Sequence, residues 1–465
     1  MAVREVRIDE SAIETLAMGF QGELIRPGDP TYDEARTIWN AAIDKHPGLI
    51  ARCAGVADVI GAVNFAREQD LLVAIKGAGH NIAGNALCDD GLVIDLSGMN
   101  AVRIDPEAKT ARVEPGATLG DFDHEAQAFG LATPLGINST TGVAGLTLGG
   151  GFGWLTRKYG MTIDNLRSVD LVTSAGTLLH VSEAEHPDLF WGIRGGSGNF
   201  GVVTSFEFDL HEVGPEVLCG PIVYDAKDGK SVMQQVREFN KTAPDELSTW
   251  LVLRQAPPLP FIDEADVGKD AVIVVPFYTG DMAKGEELIK PLRELGTLLG
   301  DGVGPAPYEA FQQAFDPLLE PGLRNYWKTH NFAELSDEVI DLALDYAANL
   351  PTPLSEIFFG QVGGAMARVS ADATAYPHRD ARYIMNVHTR WDNPALDDTC
   401  KVWAREYYNA QEPNAQGGAY VNFISESEGE EALAYGDNYD RLAELKKAYD
   451  PHNLFRVNQN VKPMA

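Results

Sequence analysis

A glycine-rich turn that ends in a histidine is the segment of this sequence best suited to chemistry. Residues 72–75 are apolar and typical of a β-strand, and they lead directly into Lys76-Gly77-Ala78-Gly79-His80-Asn81. Glycines allow a ligand to approach the backbone closely, and unpaired N–H groups in such a turn can bind a pyrophosphate. The pattern predicts a ligand-binding turn in which His80 is the reactive side chain.

Two further glycine motifs follow along the chain. Residues 142–153 read GVAGLTLGGGFG, a density of glycine that costs conformational entropy and indicates a need for bare backbone, although a tight buried turn is the alternative. Residues 196–201 read GSGNFG and match the dinucleotide pattern G-x-G-x-x-G. A Rossmann fold needs a strand before these glycines and a helix after them. Here a helix-like segment precedes and a β-branched run follows, so we exclude that fold.

The composition describes a globular protein with a strongly acidic surface. With 465 residues and 45% hydrophobic content, the chain can bury one or two substantial cores, and its length favours two or three domains. A formal charge of −31 argues against nucleic acid or an anionic membrane as partner, because like charges repel. The acidity fits an ordinary solvated surface, with adaptation to high salt as the alternative hypothesis.

Several features bear on the cellular setting and on metals. The four cysteines are widely spaced without a C-x-x-C pair, so we expect them to be free and reduced. The first 20 residues are charged and lack an apolar signal core, and no apolar run approaches the roughly 20 residues that span a bilayer. We therefore expect a cytoplasmic protein. No H-x-H, H-E-x-x-H or carboxylate cluster indicates a metal site.

Patterns of polarity predict a mixed α+β chain. Residues 11–44 are predicted helical with a break at 27–30, so that a second helix runs over 32–44; a further helix runs over 57–69. Thr118 and Asp121 predict an N-capped helix that continues to residue 129. Strands are predicted at 92–96, 102–104, 111–114, 169–174, 178–182, 202–210, 249–253 and 272–278. Later helices are predicted at 232–239, 282–295, 336–346 and 438–448.

The order of these motifs resembles the berberine-bridge-enzyme-like FAD-linked oxidases of the vanillyl-alcohol oxidase superfamily. The resemblance rests on the His80 turn, the 142–153 cluster, the NFGVVT segment at 199–204, and the closing stretch YDPHNLFRVNQN at 449–460. It implies a two-subdomain PCMH-type FAD-binding domain over residues 1–212. It also implies a substrate domain over 213–410, with an antiparallel sheet flanked by helices, and a C-terminal segment, 411–465, that returns to the FAD domain.

The resemblance also assigns the cofactor and its contacts. In this family the histidine at the position of His80 is bonded covalently to the 8α carbon of FAD. Many members form a second bond through a cysteine whose position here is Asn138, so this chain is similar to the monocovalent subgroup typified by 6-hydroxy-D-nicotine oxidase. The residues expected to bind FAD are His80, Lys76, Gly77, Ala78, Gly79, Asn81, Gly84, Thr141, Gly142, Gly145, Gly150, Gly153, Gly201, Val202, Asn458 and Asn460.

The implied activity is that of an oxidase acting on a small organic substrate. A flavin takes hydride from a carbon that bears a hydroxyl or an amine while a base removes the heteroatom proton, and O₂ is then reduced to H₂O₂. Family members carry a Tyr-x-Asn segment that faces the flavin, here Tyr420 and Asn422. Tyr420 is therefore the predicted base, and its pKa of about 10 would have to be lowered by a nearby Lys or Arg.

Several alternatives stay open at this level. A flavin dehydrogenase that passes electrons to a carrier, a sugar oxidase, and a flavin-binding protein without turnover share these motifs. The sequence does not decide whether the chain forms a homo-oligomer. Substrate-pocket candidates in the second domain, each with ordinary packing as the alternative, are Tyr326, Trp327, His330, His378, Asn386 and His388.

Overall fold

Three main β-sheets and the helices packed on them form the protein in the computed structural model, which describes residues 8–426, 429 and 431–464. The first seven residues, which belong to the N-terminal segment discussed above, lie outside the described residues. The mixture of helices and strands confirms the predicted α+β class.

The helices are distributed along the whole chain. They are α1 (Glu10–Ala17), α2 (Tyr32–Ala35), α3 (Val56–Glu68), α4 (Leu119–Gln127), α5 (Val143–Leu148), α6 (Thr156–Tyr159), α7 (Pro187–Ile193), α8 (Gly229–Asn240), α9 (Met282–Ile289), α10 (Tyr308–Gln312), α11 (Asp337–Ala347), α12 (Asp397–Gln411), α13 (Glu431–Tyr435) and α14 (Tyr439–Tyr449).

The strands fall into a group before residue 213 and a group after it. They are β1 (Glu23–Ile25), β2 (Leu49–Arg52), β3 (Val73–Lys76), β4 (Leu92–Asp95), β5 (Val102–Asp105), β6 (Thr110–Val113), β7 (Leu131–Ala132), β8 (Leu166–Val172), β9 (Leu178–Ser182), β10 (Val202–Asp209), β11 (His211–Glu212), β12 (Glu216–Cys219), β13 (Ile222–Asp225), β14 (Leu247–Gln255), β15 (Asp270–Tyr278), β16 (Leu298–Asp301), β17 (Gly304–Pro307), β18 (Arg324–Phe332), β19 (Glu356–Gln361) and β20 (Tyr383–Trp391).

Two sheets carry the glycine motifs. The first has the order β1-β2-β4-β3, and its strands β2, β4 and β3 run parallel, so the turn at residues 77–81 leaves from the carboxyl end of β3. The second is antiparallel with the order β5-β6-β10-β8-β9. Helix α4 begins with the predicted capping box, in which the Thr118 and Asp121 side chains each accept the other's backbone N–H.

The third sheet is the platform opposite the glycine motifs. Its nine antiparallel strands include the run β16-β13-β15-β14-β19-β20-β18. Side chains alternate between its two faces. On β20, Tyr383, Met385 and Val387 share a core with helices α8, α11 and α12, whereas Ile384 packs on the other face against residues of the first part of the chain. That second face is the one available to a site between the sheets.

One predicted helix is wrong in a way that matters for the site. Helix α2 ends at Ala35 instead of continuing to residue 44. The following segment cannot stay helical because its backbone bonds elsewhere: Trp39 N–H donates to Gly79 O at 3.1 Å, and Ala41 N–H donates to Leu323 O at 3.0 Å. The predicted helix over 282–295 likewise ends early, at Ile289, before Pro291.

The end of the chain packs back on the first part. Ala419, Val421, Leu442 and Val461 belong to the same apolar core as strands β6, β8 and β10. The domain boundaries at residues 212 and 410 stay a prediction. Within the described ranges, all four cysteines are buried and unpaired, and no helix combines the length and apolarity needed to cross a membrane.

Candidate active site

A long cavity lies where the glycine turns, the inner face of the third sheet and the C-terminal segment meet. Twelve of the predicted site residues line it. They are Gly77, Ala78, Gly79, His80, Asn81, Thr141, Gly142, Gly145, Gly201, Tyr420, Asn422 and Asn458. Residues more than 300 positions apart in the sequence are thus brought to one surface.

Six predicted cofactor contacts lie outside the lining: Lys76, Gly84, Gly150, Gly153, Val202 and Asn460. The Lys76 side chain turns away and donates to Ala35 O at 2.8 Å. Val202 is fully buried within the second sheet, opposite Val172. The three glycines serve backbone packing, because a Cβ built on any of them would lie within 2.8 Å of a neighbouring residue. For Lys76, Val202 and the three glycines the structure indicates a supporting position behind the cavity wall, whereas the Asn460 Oδ1 is buried without a partner among the described residues.

The His80 turn presents unused hydrogen-bonding groups. The backbone N–H groups of Ala78, Gly79 and His80 donate to no acceptor among the described residues. Gly79 has φ +76°, a conformation that favours glycine. The His80 ring stacks on Trp39 with centroids 4.3 Å apart, and its Nε2 is buried without a partner in the described part of the chain. Burial lowers the pKa of His80 to about 4, so the ring is neutral and keeps a free lone pair.

The surrounding wall fits a large polar ligand such as FAD. A Cβ built on Gly145 or Gly198 would meet nothing within 4 Å, so the bare backbone there faces open space. Gly142 sits so close to Ala78 that a Cβ would lie 3.0 Å from the alanine Cβ. The buried polar atoms of the cavity wall that have no partner among the described residues include Asn138 Nδ2, Asn458 Oδ1 and Gln459 Nε2. A bound dinucleotide would supply hydrogen-bond partners for these buried atoms.

Tyr420 is held in place by two donors. Its hydroxyl oxygen accepts from Gly151 N–H at 3.1 Å and from Asn422 Nδ2 at 2.9 Å, and Asn422 also donates to Leu146 O at 3.1 Å. The hydroxyl proton of Tyr420 is therefore free to point elsewhere. Among the described residues, no Lys or Arg lowers the pKa of Tyr420 as expected: burial raises that pKa well above 10, and the hydrogen bonds from Asn422 and Gly151 oppose the rise.

The third sheet contributes a polar group to the opposite wall. Glu356 on β19 and His388 on β20 are direct cross-strand neighbours, and both line the cavity. Arg254 NH1 donates to Glu356 Oε2 at 2.7 Å. Burial alone would raise the pKa of Glu356, but Arg254, His388 and Arg390 outweigh burial and lower the pKa to about 2. Glu356 is thus ionised, whereas burial lowers the pKa of His388 and keeps its imidazole neutral.

Aromatic rings connect the His80 turn to this polar group. Trp39 packs on His80 and, at 5.6 Å, on Trp327, whose ring meets His388 edge-on at 4.8 Å. Phe423 joins Trp327 at 5.4 Å and Tyr420 at 4.9 Å. Because all of these residues line the cavity, the substrate region is an aromatic slot with a few polar atoms.

The pocket candidates from the second domain divide into two groups. Trp327, Asn386 and His388 line the cavity, and both amide atoms of Asn386 are buried without a partner among the described residues. The remaining three candidates have other contacts. Tyr326 donates to Glu426, His330 stacks on Tyr408, and His378 packs against the carbonyls of residues 433 and 434.

Sequence reasoning missed Trp39 and Glu356. The sequence predicts a helix at Trp39, and no local pattern reveals that its segment pairs with the His80 turn. Glu356 has a weak signal, because it opens an apolar run and alternates with Phe358 on one face. A clearer signal stands on β20, where Asn386, His388 and Arg390 alternate with Met385 and Val387. Across the described residues, no cluster of His, Cys, Asp and Glu is arranged to hold a metal ion.

Comparison with known protein families agrees with this geometry. A family model described as an FAD binding domain matches residues 47–182, which include the His80 turn and the 142–153 cluster. A second model, described as berberine and berberine like, matches residues 419–462, which include Tyr420, Asn422 and Asn458.

Individual relatives cover nearly the whole chain. The chain is 32% identical to (R)-6-hydroxynicotine oxidase of Paenarthrobacter nicotinovorans over 96% of its own length and 98% of the relative. It is 31% identical to an FAD-linked oxidoreductase of Dictyostelium discoideum, covering 96% and 95% of the two chains. The crystal structure of 6-hydroxy-D-nicotine oxidase from Arthrobacter nicotinovorans superposes with a TM-score of 0.86 at 29% identity, covering 96% and 98%.

Proposed function

Because this chain belongs to the family of berberine-bridge-like, PCMH-type FAD-linked oxidoreductases, we propose that it is an oxidase of a small organic alcohol or amine. We further propose that FAD is bonded covalently to His80 and that O₂ is the electron acceptor, yielding H₂O₂. The observation that carries the proposal is the neutral His80 ring with an unpartnered Nε2, beside free N–H groups at the edge of one cavity.

The residues of the cavity have separate tasks in this proposal. When bound, FAD supplies the hydride-accepting chemistry. The free N–H groups at residues 78–80 bind its anionic part, and His80 prevents its loss. The bare backbone at Gly145 and Gly198 lets the cofactor lie against the wall.

Tyr420 and Asn422 serve the substrate in this proposal. Asn422 Nδ2 and Gly151 N–H both donate to the Tyr420 hydroxyl oxygen, from different sides. These two hydrogen bonds hold the phenol oxygen in one position. Burial keeps the Tyr420 phenol protonated, so it acts as a base only after its hydroxyl proton has passed to solvent; Gly151 N–H and Asn422 Nδ2 stabilise the phenolate that then takes the substrate proton. We therefore assign Tyr420 to proton transfer at the substrate heteroatom, with Asn422 as a positioning residue.

The anchor is tested on the purified protein. Acid precipitation should leave a yellow pellet, and the intact mass should exceed the chain mass by that of FAD. A His80→Ala variant should release its flavin on precipitation, whereas the exposed His124→Ala control should retain it. A colourless wild-type pellet would refute the covalent bond, and protein purified with no flavin in any form would refute the cofactor assignment.

The electron acceptor is tested separately. The enzyme is reduced anaerobically and mixed with air-saturated buffer while flavin absorbance and peroxide are followed. Reoxidation within seconds with one H₂O₂ per flavin supports an oxidase. Reoxidation that needs an artificial quinone or dye instead identifies a carrier-linked dehydrogenase.

A further inference from the structure

A second cavity, of about 260 Å³, lies where strands β18 and β19 end and β20 begins, beside helix α8. Among the described residues, its lining contains four cationic side chains and one acidic one. These are Arg157, Arg237, Lys241, Arg382 and Glu334. The whole chain has 68 acidic and 37 basic residues, so a cavity lined mainly by cations departs from its composition. Such a local excess of positive charge attracts anions.

Two of these cations have carboxylate partners. Arg237 NH1 donates to Asp337 Oδ1 at 2.8 Å. Lys241 Nζ donates to Glu238 Oε1 at 2.9 Å and lies 3.8 Å from Glu334. All three acids are exposed, so solvent screens their charges. These pairs leave the charges of the other two cations uncompensated.

Arg157 and Arg382 have no carboxylate partner among the described residues. Arg157 is buried, and its guanidinium donates to backbone carbonyls at 2.8–3.4 Å. The exposed Arg382 side chain forms neither a hydrogen bond nor an ion pair within the described ranges. A Cβ built on Gly363 would lie 3.6 Å from Arg382 NH1 and 3.8 Å from Arg157 NH1. Two like charges therefore lie close together, an arrangement that a bound anion stabilises.

Gln361, the last residue of β19, adds an uncharged donor to the same cavity. The residue is 3% exposed, and its Oε1 accepts from Thr249 N–H at 2.8 Å. Because a backbone N–H only donates, this contact fixes the orientation of the amide. The Gln361 Nε2 is left without an acceptor in the part of the chain that the structure describes. Buried amide groups normally have partners, and here the cavity is the place from which a ligand would supply one.

We propose that this cavity binds a phosphate group, carried either by inorganic phosphate or by a small phosphate monoester. The phosphate oxygens would accept from Arg382 and from Gln361 Nε2 and would compensate the two adjacent guanidinium charges. The donors belong to separate segments of the chain. The three terminal oxygens of a phosphate group can receive them from different directions, which the two coplanar oxygens of a carboxylate match less well.

The position of the site gives the bound phosphate a structural effect. Arg157 belongs to α6 in the first part of the chain, whereas Gln361 and Arg382 belong to the third sheet. A phosphate between them would join these two parts and stabilise the folded protein by mass action. At 100 times its Kd, phosphate should raise the Tm of the 465-residue chain by about 2–3 °C.

Calorimetric titration of the purified flavoprotein with inorganic phosphate measures the site directly. We expect one phosphate to bind per chain, and acetate at the same ionic strength to bind at least about tenfold more weakly. Glycerol 3-phosphate separates the two sources of the group. Tighter binding than inorganic phosphate identifies a monoester as the ligand, and equal or weaker binding identifies the free anion.

Two variants assign the binding to this cavity. Arg382→Ala removes an exposed side chain without a partner, so the variant should fold normally and bind phosphate at least about tenfold more weakly. Gln361→Glu keeps an oxygen for Thr249 N–H but replaces the free donor by a negative charge, so phosphate binding should be lost. The matched control, Arg103→Ala, removes the same exposed charge from β5 in the second sheet and should leave phosphate binding unchanged.

The inference is overturned if millimolar phosphate gives neither binding heat nor a change in Tm, or if acetate binds as tightly as phosphate. Phosphate binding that survives both Arg382→Ala and Gln361→Glu places the anion elsewhere and also overturns it. If Gln361→Glu fails to fold, the comparison of Arg382→Ala with Arg103→Ala still decides the question. These outcomes leave the proposed function unaffected, because that function concerns the other cavity.

Discussion

Asp123 on α4 offers a quantitative test of the electrostatics. Its side chain is buried where α4 packs on α10, and its Oδ2 accepts from Gln312 Nε2 at 3.0 Å. Its Oδ1 has no partner among the described residues. Burial raises the pKa of Asp123 to about 7, with a smaller contribution from Glu309. The folded protein therefore holds this proton more tightly than the unfolded chain does, and stability falls as the pH rises from about 4 to about 7.

The size of the effect follows from the two pKa values. Ionising Asp123 in the folded state costs about 1.4 kcal/mol for each unit by which the folded pKa exceeds the unfolded value near 4. At pH 8 the full cost of about 4 kcal/mol applies, whereas at pH 5 only about 1.5 kcal/mol applies. Asp123→Asn cannot ionise. Its unfolding free energy relative to wild type should therefore rise by about 2.5 kcal/mol between pH 5 and pH 8.

Urea unfolding of both proteins, followed by tryptophan fluorescence at pH 5, 6, 7 and 8, measures this difference. Any change in packing caused by the amide of Asp123→Asn affects the free energy of unfolding equally at every pH. The difference between two pH values therefore reports only the ionisation of Asp123. The control is Glu125→Gln on the exposed side of the same helix, which removes the same charge and should show no such trend. An Asp123→Asn effect that is independent of pH would show that the carboxyl is ionised or hydrated in the fold, contrary to the reasoning.

Three other perturbations have definite expected results. Tyr420→Phe leaves the buried Gly151 N–H unpaired, so it should cost about 1–3 kcal/mol in denaturant unfolding and lower substrate turnover about 100-fold or more, with flavin content unchanged. In Gly149→Ala the added Cβ would lie 2.1 Å from Asn422 Oδ1, so flavin should still bind while turnover falls at least about tenfold; full activity would contradict the placement of Asn422. Glu426 is partly exposed, and although burial opposes it, three donating side chains lower its pKa to about 2. The ionised Glu426 should add about 1–2 kcal/mol to the free energy of unfolding, a value reduced by its exposure to solvent. This stabilisation should be constant above pH 4.5 and should disappear as the pH falls from 4.5 to 2. In Glu426→Gln the free energy of unfolding, measured by denaturant titration, should therefore fall less steeply over that pH range.

The sequence by itself determined the cofactor half of the site. The His80 turn and the 142–153 cluster are local patterns. Their closely spaced glycines indicate directly that the backbone there must stay free of side chains. The capping box at Thr118 and the strand at residues 202–209 were predictable for the same reason, since neighbours along the chain decide them. Excluding a Rossmann fold at 196–201 also needed only the flanking segments, and helix α7 and strand β10 confirm that exclusion.

Tertiary structure decided the substrate half. Trp39 reaches His80 only because its segment gives up helical hydrogen bonds for bonds to Gly79 and to the loop before β18. Glu356 meets His388 through the register of β19 on β20, and a slip of one residue would turn either side chain to the opposite face. The pKa values of Tyr420 and Asp123 depend on burial among distant residues, which no local pattern records. Contacts between residues far apart in sequence follow from strand order and register, and these are properties of the whole fold.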